Sequence, residues 1–283
     1  MAVAYLIGAH HRPEQLVRLV ARLTSPAASF FIHVDGRAPE HVHQAIRVAL
    51  GAREDVHWVP RVASYYAGFG LVRSVLAGLE EVRTAGTPPH TVLLSGQCYP
   101  LRPAAQIESF LGERPGESLV EHFRIPTERW ADEDGGLDRI RYRYYERVHF
   151  RTRTLRIPLL RRSFPEGLEP WGGSAWCVFS DEAVEAVLAF RGERPDAYDF
   201  FRHTKSPVEI FLQTVLMNSA LRDRVANESV HHIEWPGGSH PRTFTSADFD
   251  RLAASGKPFA RKFDVAVDKE ILDVIDRELL GEG

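Results

Sequence analysis

Ala2-Val-Ala-Tyr-Leu-Ile-Gly-Ala9, then His10-His11-Arg12-Pro13, then Phe30-Phe-Ile-His-Val34: this N-terminal stretch decides the fold. Residues 2–9 are an unbroken apolar run of strand length closing on Gly8-Ala9, the pattern of a strand buried on both faces. Beyond Pro13, Leu16, Leu19, Val20 and Leu23 recur at i, i+3, i+4 and i+7, which predicts a helix laying one face on a sheet. Phe30–Val34 is a second buried strand, stopped by Asp35-Gly36. Strand, helix and strand within about thirty residues form a βαβ unit, whose strands run parallel.

Working outward, Val56–Val59 and Thr91–Leu94 read as further strands and Leu71–Val82 as a helix. The first half thus alternates β and α. The predicted fold class is α/β, with a Rossmann-like, mostly parallel sheet flanked by helices. Such sheets bind ligands beyond the C-terminal ends of their strands, here Gly8–Arg12, Asp35, the loop 63–70 and Ser95–Tyr99. No G-x-G-x-x-G or Walker loop occupies these positions, which removes the usual dinucleotide and P-loop readings.

Past residue 118 the pattern is coarser. Ser118–Phe123 and Val230–Trp235 read as strands, whereas Arg124–Leu160 lacks a period. Trp171-Gly-Gly-Ser-Ala-Trp176 leads into an apolar run, Cys177–Phe179. Ser180 is placed to cap a helix through Phe190, with Asp181 and Glu182 in its first turn. Ser206-Pro-Val-Glu209 opens a helix to about Leu221, and Asp268–Leu280 is a terminal amphipathic helix. With no repeat or linker, residues 1–283 are read as one domain.

The chain carries a formal net charge of −3, which leaves no electrostatic footprint for nucleic acid. Cys98 and Cys177, the two cysteines, neither require an oxidising compartment nor form a zinc set. The N-terminal apolar run is too short to span a bilayer and lacks a basic leader, so no integral membrane segment and a cytoplasmic location are expected. The Arg-rich stretch 139–162 reads as a solvated basic face, with an anionic acceptor as the alternative.

Near the C-terminus, Lys257-Pro-Phe-Ala-Arg-Lys-Phe-Asp264 sets two adjacent cations between two phenylalanines. Buried aromatic anchors on both sides would hold Arg261 and Lys262 still, and a fixed cation pair suits a phosphate. The plainer reading is a surface loop whose rings plug the core while its charges meet solvent.

Six pieces, in order, resemble the core-2/I-branching β-1,6-N-acetylglucosaminyltransferase family, which includes the peptide O-xylosyltransferases. They are Ala4-Tyr-Leu-Ile…His10-His11, Ile32-His-Val-Asp35, Leu94-Ser-Gly-Gln97…Tyr99-Pro-Leu101, Gly173-Ser-Ala-Trp176, Ser206-Pro-x-Glu209 and Phe259-Ala-Arg-Lys-Phe-Asp264. The resemblance implies a GT-A-type nucleotide-sugar fold and an inverting, metal-independent transferase. Its donor would be a UDP-sugar of the N-acetylglucosamine or xylose type, and its acceptor a glycan, a peptide or a small natural product. Animal members carry a Golgi anchor and stem; without these, the chain is expected to be a bacterial catalytic domain standing alone.

Departure of UDP builds negative charge on the β-phosphate, which the site must stabilise. His33-Val-Asp-Gly36 offers one carboxylate where metal-dependent GT-A enzymes have a D-x-D pair, and a lone carboxylate holds Mg²⁺ or Mn²⁺ poorly. The resemblance puts Arg261 and Lys262 in the metal's place, with Arg242 of Ser239-His-Pro-Arg-Thr-Phe244 as a third cation. Glu209 matches the family's base. Ser206-x-x-Glu209 is also a capping box with Pro207 at the first helical position, a role partly compatible with catalysis.

Asp35 matches the family's nucleoside-contacting carboxylate, although an Asp-Gly turn would look the same. Gly8 and Ala9 would let uracil approach the backbone beside His10, with Ser64 or Tyr66 closing over it. Ser174 and Trp176 are expected on the acceptor side, with Glu121, Arg129 and Trp130 as further candidates; both tryptophans have a packing alternative. Cys98 and Val208 stand where the family commonly has Asp, which leaves sugar specificity open. Cys98 itself reads as a passive buried thiol.

Two rival functions remain. One is a metal-dependent hydrolase using His10, His11 and Asp35, for which adjacent histidines on opposite faces of a strand are awkward. The other is a non-catalytic nucleotide- or carbohydrate-binding protein, against which Glu209, Arg261 and Lys262 together argue.

Overall fold

The N-terminal pattern folds as β1 (Val3–Ala9), α1 (Pro13–Leu23) and β2 (Ala28–Val34) in the computed structural model, which describes residues 2–146, 155–237 and 240–281. The helical stripe Leu16, Leu19, Val20 and Leu23 is fully buried. Strands β3 (Val56–Val59) and β4 (His90–Ser95) complete a parallel core in the order β4-β1-β2-β3. Three short strands extend it beyond β4: Val178–Ser180, Ser118–Leu119 and Val225–Ala226. Val178–Ser180 runs antiparallel to β4, so the seven-stranded sheet is mostly parallel and mixed at one end.

Helices cover both faces, each over its own apolar cluster. One, α2 (Glu40–Leu50), has no counterpart in the sequence reading: only Val42, Ile46 and Leu50 of it are buried, a narrow stripe among charged residues. The helix α3 (Gly70–Thr84) matches its predicted span closely. Ser180 caps the helix Asp181–Glu193 by accepting the Ala183 amide. The expected strand 118–123 divides, because Phe123–Arg124 pairs with Trp171–Gly172 in a separate ribbon.

The register levels the C-terminal ends of the central strands. Gly8 lies opposite both His33 and Ser95, and Ala9 opposite Val34. The chain therefore leaves the sheet at His10, Asp35 and Gly96 side by side, with Gly96 N–H donating to Gly8 O and Asp35 N–H to Ala9 O. Over this rim sits a small sheet of Cys98–Pro100, Phe259–Arg261 and His231–Ile233. Phe259–Asp264 is thus not a surface loop: its first residues are an interior strand, and Phe259 and Phe263 are buried. Gln15, buried on α1, fastens the segment by donating to Gly96 O and Phe263 O and accepting from Val265 N–H.

Behind the rim, Asp276 is 3 % exposed and accepts from Arg18, Arg22 and the Tyr99 hydroxyl at 2.6–2.7 Å. Burial alone would raise its pKa; the hydrogen bonds from Arg22, Tyr99 and Arg18 outweigh it and hold the carboxyl below the usual range. Asp276→Asn is expected to cost about 3 kcal/mol, because two partly buried guanidinium groups lose a charged partner. The folded-state value lies below the unfolded one of about 3.9, so this contribution is full above that pH. It is lost as pH falls through the folded value, and urea titrations of both proteins should converge in acid.

Candidate active site

The nucleoside-side candidates gather at the rim. Gly8 faces open space where a side chain would stand. Asp35 accepts Arg37 N–H at 2.7 Å and Ser64 N–H at 3.2 Å, which ties the loop 63–70 to the end of β2. The Ser64 hydroxyl is buried without a partner among the described residues. Tyr66 is exposed, its ring 5.7 Å from that of His240 across the rim.

β1 stops at Ala9, so the two histidines do not alternate across a strand: the His10 and His11 rings stack at 4.1 Å. Burial pulls the His10 pKa down, helped by His11 and Arg261 and opposed by Asp35. Among the described residues no three His, Cys, Asp or Glu side chains form a metal-ligand group, so the hydrolase reading finds no ligand set in them.

Arg261 extends from the small sheet toward the end of β4. Its Nη1 donates to the Ser95 hydroxyl, and its guanidinium lies 4.4 Å from the Trp176 ring centroid and against Cys98. Burial lowers its pKa, and among the described residues no carboxylate pairs with it. Lys262 is partly buried and likewise makes no ion pair among them. Cys98 is buried, as expected, with its sulfur accepting Ser95 N–H. Beneath Trp176, His231 is fully buried with neither ring nitrogen partnered among the described residues; burial and then Arg261 push its pKa down to about 3.

Arg242 is beside the pair through its backbone, since Arg242 O accepts Lys262 N–H. Its side chain is directed elsewhere, to Asp248 at 2.9 Å. Ser239 of the same motif lies outside the described residues.

The acceptor-side candidates meet around Glu209. Gly173 N–H donates to Glu209 O at 2.9 Å, and a Cβ at Gly173 would lie 1.9 Å from Glu121 O, so only glycine fits. Ser174 follows, its hydroxyl accepting Trp176 N–H and its carbonyl accepting from Gln213. Four residues, Gly173–Trp176, therefore run from the backbone of Glu209 to the face under Arg261. Glu121 pairs with Arg129 at 2.6 Å. Trp130 packs edge-on to Phe123, and one of its faces is covered by the Arg139 guanidinium at 3.8 Å.

The capping box does not form. Ser206 is in the left-handed region, its hydroxyl caps nothing, and only a short turn, Pro207–Glu209, precedes the helix Phe211–Met217. The Glu209 carboxylate is turned instead to Arg139 Nη1 at 2.5 Å, a charge-assisted bond stronger than one to a backbone amide. Arg139 was the residue the sequence hid. Its side chain is 12 % exposed, so the stretch 139–162 is not a uniformly solvated face. Arg162 at its far end is also enclosed, donating to the carbonyls of Ile140, Phe200 and His203, and burial lowers its pKa to about 10. Arg147, Arg151 and Arg153 lie outside the described residues.

The model of the Core-2/I-branching enzyme family matches residues 3–253. The chain belongs to the Core-2/I-branching enzyme family. Xylosyltransferase 2 of Rattus norvegicus is 28 % identical over 99 % of this chain, and that of Homo sapiens 27 % over 99 %. The chain spans 34 % of the length of each of these relatives. Mouse xyloside xylosyltransferase 1 in its apo form aligns with 12 % identity over 76 % of this chain and 82 % of its own, at a TM-score of 0.35. Membership accounts for the order of the first five motifs along the chain, which lie within the matched span; the last, Phe259–Asp264, lies just beyond it. Among the described residues no helix is long and apolar enough to cross a membrane.

Proposed function

We propose that the chain is an inverting glycosyltransferase of GT-A type that moves a sugar from a UDP-sugar to an acceptor hydroxyl. The observation that carries this reading is Arg261: a partly buried guanidinium that reaches the Ser95 hydroxyl at the C-terminal end of β4, with no carboxylate beside it among the described residues. A partly buried cation without a counter-ion is unfavourable, and an anion in that place is the natural compensation. Lys262 follows it, and Gly8, Ala9, His10 and Asp35 border the same rim as a nucleoside cradle, with Ser64 and Tyr66 on the adjoining loop. The relatives' xylosyltransferase names favour a xylose-type donor, with N-acetylglucosamine as the family's other choice; glycans, peptides and small natural products are the acceptor classes.

In the reaction, the acceptor oxygen attacks the anomeric carbon on the face opposite UDP. Its proton goes to the Glu209 carboxylate, and the carbon–oxygen bond to the β-phosphate breaks with its electron pair leaving on UDP. Arg261 and Lys262 sit where that charge develops. Asp35 already accepts two backbone amides and has no second carboxylate at D-x-D spacing, which favours stabilisation by the cations over a divalent metal.

UDP is expected to bind and to stabilise the fold, by about 2.7 kcal/mol at a hundred times its Kd. Uridine should bind about 100-fold more weakly, since it forgoes two charge-assisted bonds of about 1.5 kcal/mol each. Excess chelator should leave the UDP affinity unchanged. Equal affinities for UDP and uridine in a calorimetric titration, or a strict requirement for Mg²⁺ or Mn²⁺, would overturn the reading.

A further inference from the structure

Glu209 is the end of a row of four charges of alternating sign. Lys205 Nζ bonds Glu133 Oε1, Glu133 Oε2 bonds Arg139 Nε, and Arg139 Nη1 bonds Glu209 Oε2. Side-chain exposure falls from 35 % at Lys205 to 20 % at Glu133 and 12 % at Arg139, then returns to 33 % at Glu209. Only the two ends of the row face outward.

Arg139 is held from several sides. Two separate prongs of its fork engage two carboxylates, and its plane lies on Trp130. Trp130 is itself set close: a Cβ at Gly172 would come within 2.5 Å of its ring. The backbone adds a further tie, since Arg139 O accepts Lys205 N–H at the entrance to the Ser206–Glu209 turn. No helix cap orients Glu209, so its carboxylate is aimed by this guanidinium.

We infer that Arg139 is a positioning residue that aims the Glu209 carboxylate, and that Glu133 keeps Arg139 in place through the proton transfer. This rests on Glu209 being the base. When Glu209 takes the acceptor's proton it becomes neutral and ceases to balance Arg139. Glu133 remains ionised on the Nε side; burial works against it, but Lys205 and Arg139 hold its carboxyl below the usual range. The partly buried guanidinium therefore keeps a counter-ion in both protonation states of the base, and the base can release its proton from an unmoved position. Lysine at 139 would keep the charge and lose the fork.

The test compares Arg139→Met, Arg139→Lys and Glu209→Gln in transfer assays and in UDP titrations of the full chain. Arg139→Met is expected to lower kcat about 100-fold, the scale of a reacting group displaced by an ångström. Its UDP Kd and acceptor KM should stay within about threefold, and Arg139→Lys should recover about tenfold of the loss. Wild-type kcat for Arg139→Met, or UDP affinity falling in parallel with kcat, would overturn the inference. If Arg139→Met does not fold, Glu133→Gln takes its place, with a fall in kcat of about tenfold expected and wild-type kcat as the contrary result. Glu209→Gln separates the two levels: full transfer by that variant sinks the base assignment and the inference with it. A dead Glu209→Gln beside an active Arg139→Met sinks the inference alone.

Discussion

Glu209→Gln is expected to bind UDP as the wild type does and to lower kcat by roughly 10³, within the range that a positioned general base contributes. Glutamine preserves the shape of the side chain and keeps a carbonyl oxygen for Arg139 Nη1, so the turn Pro207–Glu209 and its bond from Gly173 should persist. What it removes is the capacity to take a proton. The acceptor oxygen must then attack while still carrying its hydrogen, a poor nucleophile against a glycosidic phosphate. Donor binding should be spared because the diphosphate candidates, Arg261 at the end of the strand Phe259–Arg261 and Lys262 after it, belong to a different element from the turn Pro207–Glu209. Calorimetry with UDP and an initial-rate assay on the same preparation give the two readings. Undiminished transfer would remove Glu209 from the chemistry.

The different legibility of these residues has a physical cause. The βαβ unit was open to sequence reading because its signals are local: an apolar run buries on both faces, and Leu16, Leu19, Val20 and Leu23 need only the helical period to share a side. The cation pair was legible for a related reason, since Phe259 and Phe263 flank Arg261 and Lys262 within five residues and report that the segment is anchored. The two-residue strands Ser118–Leu119 and Val225–Ala226 carry no such signal; they are strands because neighbours distant in sequence pair with them.

The turn at Glu209 shows how a sound local pattern is overridden. Ser206-Pro-x-Glu209 fits a capping box in every position, and an isolated peptide would gain from forming one. In the folded chain a partly buried guanidinium 70 positions away in sequence offers the carboxylate a stronger partner, and the cap is forgone. No spacing rule announces Arg139, because its surroundings are assembled from Trp130 and Glu133 of one stretch and Lys205 and Glu209 of another, distant one. The stacking of His10 on His11 has the same origin: alternation holds only within a strand, and β1 ends one residue earlier.

Arg261→Met is expected to separate stability from function in the opposite sense to Asp276→Asn. Arg261 touches the Ser95 hydroxyl, the Cys98 sulfur and the face of Trp176, none of them a carboxylate, and burial drags its pKa down. Removing a charge that the fold partly buries but does not neutralise costs little, and an apolar chain of similar volume against Trp176 recovers the packing. The melting temperature without UDP should therefore stay level or rise. UDP affinity should fall about 100-fold or more, since a cation held by the fold at the diphosphate contributes about 3 kcal/mol, and UDP should lose most of its stabilising effect. Transfer should fall further than binding, because the interaction strengthens as the phosphate gains charge on departure. Asp276, by contrast, is a buried charge with three partners, and its removal strands cations rather than freeing the fold of one. Melting curves of the three proteins with and without UDP contain the whole comparison. A large loss of stability in Arg261→Met without UDP would mean that the residue is structural, and that this unpaired cation is not held in readiness for an anion.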